Sequence, residues 1–152
     1  MKAGEYTGKR PETAVRLAPD YPAAHYNLGA LLARKRETAR AERALREALR
    51  LRPEMADAAI VLADVLGSAG RVEEAEGLLR SALAAMPQSA MAAHNLAILL
   101  IKQDRVDDAE DLILRARSSN PGLGSLDAVL ATIYVKTGRA RESAALFQAA
   151  LT

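Results

Sequence analysis

His25 and His94 are the only imidazoles in this 152-residue chain, and it contains no cysteine. A metal centre needs several ligands converging at fixed distances, and two histidines in separate periodic segments do not supply them. Disulfides and thiolate redox sites are excluded with the cysteines, which leaves the redox compartment open. No nucleophile stands beside a base, so catalysis has no residues to carry it. Gly122-Leu123-Gly124 follows Pro121 with no strand before it, which makes it a turn and not a dinucleotide fingerprint. The expectation is a chain that is not an enzyme, with no catalytic residue, no cofactor and no metal.

The formal charge of +2 is too small to argue for nucleic acid as a partner. Met1-Lys2-Ala3-Gly4-Glu5 leads into no apolar signal segment, so a cytoplasmic location is expected, or a periplasmic one if the chain is a fragment. The longest apolar run, Leu96 to Ile101, is far short of the roughly 20 residues that span a bilayer, so no membrane insertion is expected. With 3% aromatic residues, few of the side chains that usually anchor interfaces are present.

If this chain works, it works through surfaces, and its period defines them. Pro19, Pro53, Pro87 and Pro121 recur every 34 residues. Ala41, Ala75, Ala109 and Ser143 fall in one column, and Ala48, Ala82, Ala116 and Ala150 in another. Leu45, Leu79, Ile113 and Phe147 form a large apolar column between them. Within one period, Ala59, Leu62, Ala63 and Leu66 make the stripe of an amphipathic helix. Gly67-Ser68-Ala69-Gly70 breaks it, because glycine takes the left-handed conformation that ends a helix. Ala75, Leu78, Leu79 and Ala82 then form a second helical stripe, opened by Glu73 and Glu74 where the helix dipole favours anions. Each period therefore encodes two antiparallel helices that cannot bury their apolar faces alone and must stack on their neighbours.

Leu28-Gly29, Leu32, Ala41, Leu45, Ala48 and Pro53 stand at the spacing of the tetratricopeptide repeat, and the chain resembles that family. Leu62-Ala63, Leu66, Ala75 and Pro87 repeat the match, as do Leu96-Ala97, Leu100, Ala109 and Pro121. The family's tryptophan place holds His25, Ala59, Ala93 and Asp127 instead, and only Tyr134 and Phe147 keep aromatics at the other two places. The resemblance implies an all-α fold, a right-handed α-solenoid (superhelix) of antiparallel helix pairs. Its repeats would be 22–55, 56–89, 90–123 and 124–152, after a partial, degenerate one at 1–21. Pro11 is expected in the first turn of a short second-helix remnant, with residues 1–10 irregular. Both ends read as cut, and the last repeat lacks a polar capping helix.

Repeat 22–55 carries eight basic and four acidic residues, whereas 56–89 carries two and five. Such a run orients an acidic partner or, more economically, forms a solvated face laced by pairs such as Glu42 and Arg46. His25 is expected to fill a packing place and His94 to face the groove.

In the tetratricopeptide family the first helices line a concave face. Carried over, the partner-binding residues are Tyr26, Asn27, Ala30 and Arg34, then Ile60, Val61 and Asp64, with Asp57 and Ser68 beside them. Met91, His94, Asn95, Ile98 and Lys102 follow, and then Val129, Thr132 and Lys136. For Val61 and Val129, packing between adjacent first helices is the competing role. The carboxylate clamp of chaperone-binding members is absent, since its places hold Tyr26, Ala30, Val61, Met91 and Asn95. The peptide-holding asparagine ladder of related arrays is half present: Asn27 and Asn95 match it, and Val61 and Val129 break it. The implied function is a non-catalytic scaffold of bacterial type that binds a peptide or helical segment of a partner protein. The alternatives are a substrate-presenting fragment of a larger glycosyltransferase or sulfotransferase, or a secretion or envelope-assembly adaptor. Ala144, Leu146, Phe147, Ala150 and Leu151 would leave an apolar face at the C-terminal end, where a homodimer could close.

Overall fold

A computed structural model describes residues 10–151, with side chains to residue 149. The expected irregular segment at 1–10 lies, apart from Arg10, outside the described residues, as do the side chains of Ala150 and Leu151. Among the described residues there are nine helices and no strand: α1 (Pro11–Leu17), α2 (Pro22–Arg34), α3 (Thr38–Leu51), α4 (Ala56–Ser68), α5 (Val72–Ala85), α6 (Ala90–Lys102), α7 (Val106–Ser119), α8 (Gly124–Lys136) and α9 (Ala140–Leu151). Pro11 and Pro22 open α1 and α2, where the missing N–H costs nothing because the first turn leaves it without an acceptor. Ser89 caps α6, its Oγ accepting the Ala92 N–H at 3.2 Å.

The turn inside every helix pair is the same device. Arg36, Gly70, Asp104 and Gly138 all have positive φ, at 60°, 82°, 61° and 74°. The following residue then donates its N–H back across the helix end: Glu37 to the Leu32 carbonyl, Arg71 to Leu66, Arg105 to Leu100 and Arg139 to Tyr134. The left-handed residue itself donates to the carbonyl three places back, Arg36 to Ala33, Gly70 to Gly67, Asp104 to Ile101 and Gly138 to Val135, so two bonds satisfy carbonyls that the helix would otherwise leave open. Glycine fits the left-handed residue without cost; arginine and aspartate hold it against a Cβ clash.

The chain divides into two compact units, residues 1–78 and 79–152, with the boundary inside α5. In the first, α2 packs on α3 and both contact α4, while α1 lies against α2. Ala41, Leu45 and Ala48 of α3 are fully buried. At Gly29 the helices meet too closely for a side chain: a Cβ there would sit 2.5 Å from Leu45 Cγ. In the second unit α6 packs on α7 and on α8, and α8 packs on α9. Ala109 and Ile113 are buried in the same repeat places as Ala41 and Leu45.

Ion pairs reinforce each unit at equivalent places. Arg71, just before α5, donates Nη1 to both oxygens of Glu42 on α3, at 2.8 and 2.9 Å, while its Nε holds Glu74 at 2.6 Å. Two repeats later, Arg139 grips Glu110 on α7 with both Nη atoms and lies over the Tyr134 ring, 4.4 Å from its centre. The fork contact of Arg139 with Glu110, two nitrogens on two oxygens, is the stronger kind, whereas Arg71 meets Glu42 through one nitrogen. Burial raises the Glu42 carboxyl, but hydrogen bonds from Arg46 and Arg71 outweigh it and hold the group below its ordinary value. The Arg139 hydrogen bonds lower Glu110 likewise, against a smaller opposing effect of burial.

Three outcomes follow from this geometry. Arg36→Gly should raise the urea midpoint, by up to about 1 kcal/mol of stability, and Asp104→Gly by less, since aspartate tolerates the left-handed region better. Equal melts for wild type and Arg36→Gly would remove strain from that turn. Gly29→Ala should lower stability by about 1 kcal/mol, overpacking of typically 1–3 kcal/mol exceeding a helix-propensity gain of about 1. Because the two glutamates titrate lower in the folded chain than in the unfolded one, their stabilisation is complete above the unfolded value of about 4.3. It should fade as pH falls through the folded values, and Glu42→Gln with Glu110→Gln should flatten that acid limb in denaturant melts recorded across pH.

Candidate functional site

The first helices are buried almost all round, and each leaves one stripe open. On α4, Ala58, Ala59, Ile60, Leu62, Ala63, Val65 and Leu66 are buried, which leaves Asp57, Asp64 and Ser68 exposed with Val61 half-buried between them. These fall at i, i+4, i+7 and i+11, one line along a helix. On the neighbouring α2 the corresponding line is Tyr26, Asn27, Ala30 and Arg34, with Asn27 and Arg34 exposed. The open side of the first unit is therefore polar, with Tyr26 and Val61 as its apolar spots.

In the second unit the α6 line is Met91, His94, Asn95, Ile98 and Lys102. Met91 stands 63% exposed, and His94, Asn95 and Ile98 are half-buried beside it. His94 Nδ1 is buried with no hydrogen-bond partner. On α8 the line is Ser125, Ala128, Thr132, Val135 and Lys136, all exposed. The Thr132 hydroxyl is turned back onto its own helix, donating to the Ala128 carbonyl at 2.9 Å. Lys136 reaches Asp104 at 3.4 Å.

Two residues expected on this surface are not on it. Ile60 and Val129 are 2% and 3% exposed, so no partner can touch them and they support the stripes from beneath. Both sit next to an outward residue on a helix buried on several sides, where a 3.6-residue period does not separate neighbours. The remaining expected residues line two stripes in each unit: Tyr26, Asn27, Ala30, Arg34, Val61 and Asp64 in the first, Met91, His94, Asn95, Ile98, Lys102, Thr132 and Lys136 in the second.

The polar residues at the family's tryptophan place are each satisfied locally. His25 is 9% exposed and its Nε2 donates to the Pro19 carbonyl at 2.7 Å. Asp127 pairs with Arg117 at 2.6 Å. Sequence reading missed the Glu42–Arg71 and Glu110–Arg139 pairs, although both are spaced 29 residues apart and aligning the charged columns as well as the apolar ones would have found them. At the other end of the chain, Phe147 is 58% exposed where Leu45, Leu79 and Ile113 are buried.

Paired helices of 12 to 14 residues, a left-handed residue in the turn inside each pair and alanines at the buried contacts define a tetratricopeptide-repeat protein. The chain belongs to the family of the Cilia and flagella-associated protein 70 middle TPR-like domain, whose model matches residues 13–151. No curated protein sequence matches it. Among solved structures, MamA is similar over 93% of this chain and 82% of its own, with a TM-score of 0.80 at 19% identity. YrrB, described as a TPR protein with an unusual peptide-binding site, is similar over 93% of this chain and 73% of its own, with a TM-score of 0.77 at 20% identity. The pilF protein of Pseudomonas aeruginosa is similar over 86% of this chain and 60% of its own, with a TM-score of 0.78 at 25% identity. These likenesses show an all-α helical-repeat fold. Among the described residues, no helix is long and apolar enough to cross a membrane.

Proposed function

We propose that the chain is a non-catalytic scaffold that holds a peptide or helical segment of a partner protein against the open stripes of its first helices. The observation that carries this reading is the α6 stripe. An unbranched, adaptable Met91 stands out of the surface, flanked by half-buried Ile98 and by Asn95. Apolar anchors at i and i+7 suit an amphipathic segment, and an asparagine amide can both donate to and accept from a peptide backbone. The description of YrrB as a peptide-binding TPR protein supports the same class of ligand. Taken by itself, the stripe of the first unit, with Asp57, Asp64 and Asn27, would favour a basic or polar segment.

The experiment is selection of peptides from a displayed random library on the wild-type chain, followed by binding to variants. Met91→Asp with Ile98→Asp should abolish capture of the selected peptides with helicity unchanged. Leu114→Asp, at an exposed apolar position of α7 away from the stripe, should leave capture intact. Peptides that bind the double variant as well as wild type, or that are lost only with Leu114→Asp, would move the site to the second helices.

A further inference from the structure

We propose that copies of this chain associate with one another through oppositely charged faces of their second helices, Arg36, Arg40 and Arg43 of one copy meeting Asp104, Asp108 and Asp111 of another. The three arginines and the three aspartates occupy the same places of the repeat, two periods apart. They are carried on equivalent backbones. The residues Arg36 and Asp104 have φ of 60° and 61°, and the helices that follow, α3 and α7, both run for 14 residues. The two triads therefore have the same spacing and opposite sign. All six residues are exposed.

These charges are only loosely engaged within the chain. Arg36, Arg43 and Asp111 make no ion pair among the described residues. Arg40 meets Glu37, Asp108 meets Arg105, and Asp104 takes Lys136 at 3.4 Å, all between exposed groups that can re-pair without burial. Arg34 and Lys35 extend the basic face, and Asp107 extends the acidic one. The chain as a whole carries only +2, so approach of a second copy meets little general repulsion. A foreign acidic segment would account for the arginines but would leave the matched aspartates without a counterpart; a second copy accounts for both. Single exposed pairs are weak, so the contact depends on several acting together, and complementary patches of this kind set orientation and on-rate more than tightness. The two triads lie in the turns and on the second helices and share no residue with the peptide stripe proposed above, which they adjoin only at Arg34 and, through Asp104, at Lys136.

Sedimentation equilibrium of the full chain over a concentration series tests it. At low salt, roughly 0.02 M, the wild type should show a mass of two chains or more, falling to one chain at about 1 M, where the screening length is about 3 Å. Arg40→Glu with Arg43→Glu should be monomeric at low salt, and so should Asp108→Arg with Asp111→Arg. Circular dichroism should show both folded. An equimolar mixture of the two variants, one acidic and the other basic on both faces, should associate again at low salt. The idea is overturned by a wild type that stays monomeric at low salt, including one that instead binds polyglutamate, which would give the basic face to a foreign acidic segment. It is also overturned by association that ignores salt, by a mixture that stays monomeric, or by association lost only with Phe147→Glu, which would place the contact at α9.

Discussion

The approach of two helices across a column of alanines is the constraint on which the rest of this chain depends. Ala41 and Ala109 are fully buried, and the large residue four places on, Leu45 or Ile113, is buried with them. A helix axis can come that near only where the side chain between is a methyl group or less, and at Gly29 even a methyl would clash with Leu45. Once the gap is set, the leucine that fills it leaves no room for a second large residue on the facing helix. This is why leucine-glycine or leucine-alanine pairs recur at one place and alanines at another. Stability in such a chain is a sum over neighbouring contacts, so each repeat must reproduce the same gap.

The turn follows from the gap. Two helices held this close must reverse direction within a few residues, and a left-handed residue followed by a back-reaching N–H does so inside each pair while closing the helix end. Two repeats use glycine there and two do not. The exceptions, Arg36 and Asp104, are also the first members of the two oppositely charged triads. A strained residue retained in a turn that glycine would relax calls for a compensating role, and surface charge at that point supplies one.

The helices, their pairing and most of the core were legible in the sequence because burial here is periodic and local. Leu62, Leu96 and Leu130 hold one repeat place and are buried alike. The open stripes were legible to within one residue. Ile60 and Val61 are adjacent on α4 and about 100° apart around it, and both are apolar. Sequence alone placed both outward, whereas the structure buries Ile60 and half-exposes Val61. Helices that are apolar nearly all round give a weak direction signal, which is where period-based reading loses precision. The ion pairs were hidden for a different reason. Glu42 and Arg71 are 29 residues apart and belong to separate helix pairs, so neither local periodicity nor i,i+4 reasoning connects them.

Polar residues at apolar places are the other lesson of the chain. Loss of an aromatic at the tryptophan place ought to leave a void or an unmet donor. Repeat by repeat, a different local solution appears: His25 donates to the Pro19 carbonyl, Asp127 meets Arg117, and Ala59 and Ala93 are simply buried. None of these solutions touches the open stripes. The consequence is a division of labour along each helix pair. Buried columns are held to the period because a neighbour reads them. The stripes of α2, α4, α6 and α8 and the charged faces of α3 and α7 are free of that constraint, and they differ from repeat to repeat in size, polarity and sign. Recognition in this chain can therefore change at one repeat without disturbing the packing of the next.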